Sequence, residues 1–89
     1  MKIIENKNNM IILENESEIY FISYQTTICK YNTKTKILQV NANYWDYSQT
    51  TLKQLKYFVN EYTLYIYETK QQFEKALKTN NFIEEIIGL

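Results

Sequence analysis

The sequence predicts an α+β domain: a small antiparallel sheet of four to six strands with two helices, or three. Three observations support this fold class. The first half alternates apolar and polar side chains between short Asn/Lys/Glu turns, which is typical of strands. Apolar residues of the second half recur at helical spacing. Hydrophobic residues make up 45% of the 89 positions, enough for one core, so we expect residues 1–89 to form a single domain.

Five short strands are predicted in the first half. The clearest is 18–25, where aromatic and aliphatic residues alternate along the chain. The last two flank the turn 32–36, which lacks glycine, so Asn32 is predicted to adopt the left-handed conformation there. The predicted strands are 2–5, 10–14, 18–25, 27–31 and 37–40.

A helix is predicted to begin at Thr51. Thr51 and Gln54 fit a capping box, in which the hydroxyl accepts from a free amide while the Gln side chain returns to the cap residue's N–H. The apolar face of this helix is formed by residues at helical spacing, namely Leu52, Leu55, Phe58, Val59 and Tyr62.

After this helix, residues 64–67 predict a strand. Thr69 and Gln72 form a second possible capping box, and Asn80-Asn81 would end the helix that follows. Apolar pairs four apart in the tail 82–89 predict either a last short helix or an extended segment. The predicted order is therefore strands, helix, strand, helix, with the helices on one face of the sheet. The second helix would bury Phe73, Ala76 and Leu77.

The residue types that are missing limit the possible chemistry. The chain has no His, no Arg and no Pro, and its single Gly and single Cys are Gly88 and Cys29. Without His there is no near-neutral acid/base group and no Ser-His or Cys-His pair. One Cys cannot build a zinc site, and one Gly cannot build a phosphate-binding loop. We therefore expect no enzyme activity, no cofactor and no metal.

The charges cancel along the whole chain. Ten Lys balance ten acidic residues, with five of each sign in both 1–50 and 51–89. A nucleic-acid-binding protein normally has a basic excess. Near-zero net charge steers a partner weakly, so partner choice must depend on shape and apolar contact. With no signal peptide, no membrane-length apolar run and one Cys, we expect a soluble cytoplasmic protein without a membrane partner.

The aromatic block 44–48 has two interpretations. Tyr44 and Tyr47 could form a recognition loop, since Trp and Tyr dominate interface hot spots. Alternatively, Trp45 and one Tyr fill the helix–sheet junction while Asp46 or Ser48 caps backbone amides.

A second aromatic surface is predicted on the sheet. If the aliphatic residues of the predicted strand 64–67 face the helices, Tyr65 and Tyr67 lie on the open face, together with Tyr20 and Tyr24. Such a face could bind a protein or stack single-stranded bases. It could also be an ordinary sheet surface, because strands favour Tyr.

Three further groups have both a chemical and a structural interpretation. The alternate glutamates Glu14, Glu16 and Glu18 could bind a metal or form an acid/base pair, although a polar turn between strands is usually solvated. Cys29 fits a small buried hydrophobe better than a nucleophile, because no base is available. The hydroxyls of 48–51 fit helix capping better than nucleophilic catalysis.

Two blocks, 23–26 (Ser-Tyr-Gln-Thr) and 44–53 (Tyr-Trp-Asp-Tyr-Ser-Gln-Thr-Thr-Leu-Lys), resemble a family of small uncharacterised proteins from phages and mobile elements. Its shared pattern is Ser-Tyr-x-Thr near a strand, followed by Trp-x-Tyr-Ser-x-Thr-Thr leading into a helix, and the match covers 19–62. Short proteins of this kind are commonly inhibitors of host defence, including anti-CRISPR proteins. The resemblance thus implies an inhibitor acting in the host-cell cytoplasm.

The leading hypothesis is a non-enzymatic protein-binding module that inhibits a bacterial defence complex, such as a CRISPR–Cas effector, by occupying its surface. The alternative is a single-stranded nucleic-acid-binding protein that stacks bases on a Tyr-rich sheet face. A homodimer, formed through that face, an edge strand or the apolar tail 82–89, is also open. The predicted partner-binding residues are Tyr44, Tyr47, Tyr65, Tyr67, Tyr20 and Tyr24.

Overall fold

Six strands form one mixed sheet in the computed structural model, which describes residues 1–89. The strands lie side by side in chain order, antiparallel except for the parallel pair β5–β6. Two helices follow β5, with α1 packed on β3 and α2 next to β6, so the α+β class is confirmed. The strands are β1 (Lys2–Lys7), β2 (Met10–Glu14), β3 (Glu18–Ser23), β4 (Thr26–Asn32), β5 (Leu38–Asn41) and β6 (Ile83–Ile86); the helices are α1 (Gln49–Tyr62) and α2 (Lys70–Thr79).

The core lies between the sheet and the helices. One cross-strand row shows how it is built, because Ile12, Phe21, Cys29 and Val40 are successive partners on β2 to β5 and all are fully buried. Phe58 of α1 stacks on Phe21 with ring centroids 5.5 Å apart. Burying such side chains contributes about 1.5–3 kcal/mol each to stability. Neither helix is long and apolar enough to cross a membrane.

The β4–β5 turn differs from the prediction. Lys36, with φ 65°, has the left-handed conformation that was expected of Asn32. Asn32 instead holds the turn through its side chain, because its Oδ1 accepts from the N–H groups of Lys34 and Thr35 at 2.9 Å each. An Asn side chain can thus close a turn without its own backbone becoming left-handed.

The predicted strand 64–67 is wrong, and the predicted order of elements is therefore not confirmed. Five strands precede both helices, and the connection between α1 and α2 has no regular structure. Asn60 explains this, since it accepts from Tyr67 N–H (2.8 Å) and donates to Tyr67 C=O (3.1 Å). A helix side chain thus binds backbone groups that a neighbouring strand would otherwise bind.

The tail adopts the extended one of its two predicted forms. β6 adds to the free edge of β5, where Leu38 N–H donates to Phe82 C=O and Ala42 N–H donates to Ile86 C=O. An open strand edge offers a row of unpaired backbone groups, and the tail binds them. The spacing of four between apolar residues did not distinguish the two forms.

One of the two predicted capping boxes is confirmed in part. Thr69 caps α2 by accepting from Gln72 N–H, although the Gln72 side chain returns to Glu68 N–H rather than to Thr69. The box predicted at Thr51 is wrong, because Ser48 is the cap of α1 and accepts from Thr51 N–H at 3.1 Å. The helix therefore begins two residues before Thr51.

Candidate functional site

The two sequence blocks come together in the structure and line one cleft of about 470 Å³. The first block supplies the β3–β4 turn, and the second supplies the loop after β5 and the first turn of α1. Eight of the nine lining residues carry a hydroxyl group, the exception being Ile28, and none carries a charge. The eight are Ser23, Tyr24, Thr26, Tyr44, Tyr47, Ser48, Thr50 and Thr51.

A tight two-residue turn places Tyr24 at the cleft. Ser23 and Thr26 are paired across β3 and β4, so only Tyr24 and Gln25 connect the strands. Both have positive φ, 48° and 68°, as a hairpin turn of this length requires. Residues with a Cβ pay about 1–2 kcal/mol for a left-handed conformation. Tyr24 is 56% exposed, so burial of its ring offsets only part of this cost.

Trp45 fixes the loop that carries Tyr44 and Tyr47. Trp45 is 4% exposed, packs on Phe73 of α2 at 5.5 Å, and donates from Nε1 to Glu85 of β6 at 3.1 Å. Tyr44 and Tyr47, on either side, are 42% and 74% exposed, with their rings 5.8 Å apart and inclined by 48°. The structural interpretation is therefore confirmed for Trp45 and for the Ser48 cap, whereas Tyr44 and Tyr47 both stay exposed and neither fills the helix–sheet junction.

Asn41, the last residue of β5, holds the start of the same loop. Its amide Nδ2 donates to Thr27 C=O at 2.9 Å, and its Oδ1 accepts from Asn43 N–H at 3.1 Å. Its backbone C=O accepts from the N–H groups of Tyr44 and Trp45. A loop bonded at this many points presents its exposed rings in one arrangement.

The first turn of α1 closes one end of the cleft. Ser48 accepts from Thr51 N–H, and its hydroxyl also bonds the Thr51 hydroxyl at 3.0 Å. The N–H groups of Gln49 and Thr50 have no partner within the protein, as expected for the first residues of a helix. Of these two residues, Thr50 lines the cleft and Gln49 does not.

Gln54 was predicted as a capping residue but lies buried beneath the cleft. Its Oε1 accepts from the Ser23 hydroxyl at 2.6 Å, and its Nε2 donates to Asn8 C=O at 2.9 Å. Burial of a polar group is tolerated only when it is bonded in this way. The pair connects α1 to β3 and to the β1–β2 turn, and so fixes the floor of the cleft.

The predicted tyrosine face of the sheet is wrong, because residues 64–67 do not form a strand. Tyr67 is 5% exposed and packs on Phe73 at 5.0 Å, so it cannot contact a partner in this conformation. Tyr65 is half-buried and donates to Lys36 C=O at 2.5 Å. Tyr20 does lie on the open face, where its hydroxyl donates to Glu18 at 3.0 Å. Of the six predicted contact residues, the cleft brings together Tyr24, Tyr44 and Tyr47.

The remaining candidates do not form reactive sites. Cys29 is fully buried, and burial raises the pKa of its thiol well above the ordinary value. No group of three or more His, Cys, Asp or Glu side chains is arranged to hold a metal ion. Glu18 instead accepts from Tyr20, which lowers the pKa of the Glu18 carboxyl, and forms an ion pair with Lys30 at 3.4 Å.

Sequence reasoning missed a second tyrosine cluster, which joins β1 to α1. The hydroxyls of Tyr57 (2.5 Å) and Tyr62 both donate to Oε2 of Glu5, and Lys7 lies 3.6 Å from the other carboxylate oxygen. These hydrogen bonds, that from Tyr57 first, lower the pKa of Glu5. Glu5 is more than fifty positions away from both tyrosines, so no local pattern could have identified the cluster.

A comparison with known proteins identifies the family of this chain. A family described as being of unknown function, DUF8033, matches residues 2–75. The chain belongs to this family. The matched range contains both blocks that line the cleft and the tyrosine cluster that joins β1 to α1. It ends within α2, before β6. No curated protein and no solved structure matches the chain.

Proposed function

We propose that this chain is a non-enzymatic protein-binding module whose contact surface is the cleft formed by Tyr24, Tyr44 and Tyr47. The observation that carries the proposal is that these exposed rings have hydroxyls without a partner inside the protein. Tyrosine supplies a large apolar area and a polar tip at low entropic cost, which is why it is enriched at interfaces. The four tyrosine hydroxyls that are bonded internally belong to Tyr20, Tyr57, Tyr62 and Tyr65.

The chemistry of the cleft supports binding rather than catalysis. A serine or threonine nucleophile needs an adjacent base, and none of the lining side chains is a carboxylate, an imidazole or an amine. The Ser23 hydroxyl is already bonded to Gln54, and the Ser48 and Thr51 hydroxyls are used in the helix cap. These three hydroxyls are therefore engaged in bonds that hold the fold.

The partner we propose is a component of a bacterial defence complex, such as a CRISPR–Cas effector, whose surface this protein would occupy in the host-cell cytoplasm. This part of the proposal rests on the resemblance of blocks 23–26 and 44–53 to phage and mobile-element proteins. Those same blocks line the cleft, so the resemblance and the contact surface coincide.

The alternative, stacking of single-stranded bases on a tyrosine sheet face, loses its surface because Tyr67 is buried. Base stacking would have to use the cleft, where no lysine is among the lining residues. Single-strand binding normally combines stacking with a positively charged groove. We therefore favour a protein partner.

Copurification from the native host tests the proposal. Tagged protein should retain a specific partner after nuclease treatment, and the double variant Tyr44→Ala/Tyr47→Ala should lose at least about 90% of it, as expected when interface hot spots are truncated. The matched control is Phe82→Ala, which removes an exposed aromatic ring outside the cleft.

Equal recovery of the partner by the wild type and the double variant would overturn the proposal. Both variants should unfold at the wild-type urea concentration, which shows that a loss of partner is not a loss of fold. A photo-crosslinker at position 47 that captures only a second copy of the chain would also contradict it, because the cleft would then serve self-association.

A further inference from the structure

We infer that the cleft takes an extended, uncharged, proline-containing peptide segment in the polyproline II conformation, with its pyrrolidine rings packed on Tyr24, Tyr44 and Tyr47. The inference rests on the proposed function and specifies the ligand of that site. It follows from comparing the cleft with the recurring ways in which proteins bind peptides.

Addition of a β-strand is not available at this cleft. Ser23 and Thr26 end β3 and begin β4, and both strands lie inside the sheet with neighbours on each side. The sheet has free edges only at β1 and β6. A peptide in the cleft therefore cannot pair its backbone with a strand, and side chains must provide the contacts.

Binding of an amphipathic helix or of an anionic motif also fits poorly. A helix needs an apolar groove for anchors at i, i+3, i+4 and i+7, whereas Ile28 is the one aliphatic residue of the cleft. Phosphorylated or acidic motifs need clustered cations, and no lysine lines the cleft. A partner segment with a net charge would find no counter-charge here.

A polyproline II segment matches what the cleft does offer. Such a segment has no internal hydrogen bonds, so its carbonyl groups are free to accept from tyrosine and threonine hydroxyls. The rings of Tyr44 and Tyr47 lie 5.8 Å apart and are inclined by 48°, so they contact each other and together form an angled aromatic surface on which a proline ring can pack. The fixed φ of proline means that little conformational entropy is lost on binding.

The test is a titration of ¹⁵N-labelled protein with an acetylated and amidated peptide of about ten prolines, long enough for three turns of the helix. We expect saturable chemical-shift changes at the turn of Tyr24 and along the loop and first helical turn 44–51, with a Kd of about 1 mM or tighter. Tyr44→Ala/Tyr47→Ala should weaken binding at least about tenfold by removing two aromatic contacts, whereas Phe82→Ala should not. An amidated Gly-Ser peptide of equal length should cause no saturable change.

The absence of saturable shifts at millimolar oligoproline would overturn the inference. So would equal binding of the Gly-Ser peptide, or binding that appears only with a free carboxylate, which would point to the N–H groups of Gln49 and Thr50. These failures differ from a failure of the proposed function. If oligoproline does not bind but the partner is still lost in the double variant, the ligand class is wrong and the protein-binding function stands.

Discussion

Two tyrosine clusters, one in the loop before α1 and one within α1, show how the same residue type performs two roles. In the cluster that joins β1 to α1, the hydroxyls of Tyr57 and Tyr62 both donate to Glu5, and both rings are half-buried. In the cleft, the hydroxyls of Tyr44 and Tyr47 have no partner inside the protein, and both residues are exposed. In these two clusters the structural tyrosines have an internal acceptor, whereas the available ones are exposed and have none. Exposure is the deciding property, because Tyr31 and Tyr67 also lack an internal acceptor but are buried.

The difference extends to single neighbours in the chain. Trp45 lies between the two exposed tyrosines but is buried and bonded to Glu85. One short block thus contains a fold anchor and two contact residues. Variants should separate these roles. Changes at Trp45 or at the tyrosines bonded to Glu5 should affect stability, whereas changes at the cleft tyrosines should affect binding.

The largest effect on stability is expected for Trp45→Ala. Removing an aromatic side chain from a core typically costs about 3–5 kcal/mol, and here the cavity would open beside Phe73. Urea unfolding followed by far-UV circular dichroism measures the change. The matched control, Tyr47→Ala, should change the free energy of unfolding by no more than about 0.5 kcal/mol, as for other surface positions. Equal losses in both variants would contradict the division of roles within the block.

A smaller effect is expected for Glu5→Gln. The amide oxygen can still accept from both tyrosines, which donate to one oxygen of Glu5, but the charge is lost. Because hydrogen bonds to a charged acceptor are stronger, we expect a loss of about 1–2 kcal/mol in the free energy of unfolding. Glu16→Gln, at an exposed position without an ion pair, is the control. Binding at the cleft should not change in either variant.

The same variant should change the pH dependence of stability. Because hydrogen bonds lower the pKa of folded Glu5, its contribution is present above the ordinary value of 4.5 and is lost as the pH falls through the lowered value. Wild-type stability should therefore fall below about pH 4.5 more steeply than that of Glu5→Gln. Parallel pH profiles of the two proteins would show that Glu5 is not the group responsible.

The smallest effects come from removing single hydroxyls. Tyr57→Phe should cost about 1 kcal/mol, the value of one net hydrogen bond, and leave binding unchanged. Tyr47→Phe should leave the unfolding free energy unchanged within about 0.5 kcal/mol and weaken binding of the partner, because its hydroxyl is free. A stability loss in Tyr47→Phe that matches Tyr57→Phe would remove the distinction between the two clusters.

The first half of the fold was predictable because its information is local. Alternation over 18–25 and the polar turns around it specify strands whatever lies beside them, and the confirmed Thr69 cap needs only residues within one turn of a helix. The Ser48 cap lies three positions before the predicted cap, Thr51. Choosing among three neighbouring hydroxyls depends on where the preceding loop ends, which Trp45 and Asn41 determine through distant contacts.

Only part of the candidate site could be predicted, because only part of it depends on local sequence. Tyr44 and Tyr47 were identified as aromatic residues at the start of a helix, and Tyr24 as part of a second block. No short-range pattern in the sequence indicated that these residues lie together in the fold. Tyr65 and Tyr67 were misassigned because an alternating four-residue segment resembles a strand when its neighbours are unknown. The Asn60 side chain, seven positions before Tyr67, binds the backbone that a strand would have paired.

The sequence by itself determined the α+β class, the five leading strands, both helices and the poverty of reactive side chains, since composition and short-range periodicity carry that information. Tertiary structure alone decided which tyrosines are free, which edge the tail joins and where Glu5 finds its donors. Those outcomes depend on hydrogen-bond partners up to fifty-seven positions apart, and such pairings exist only after the chain has folded.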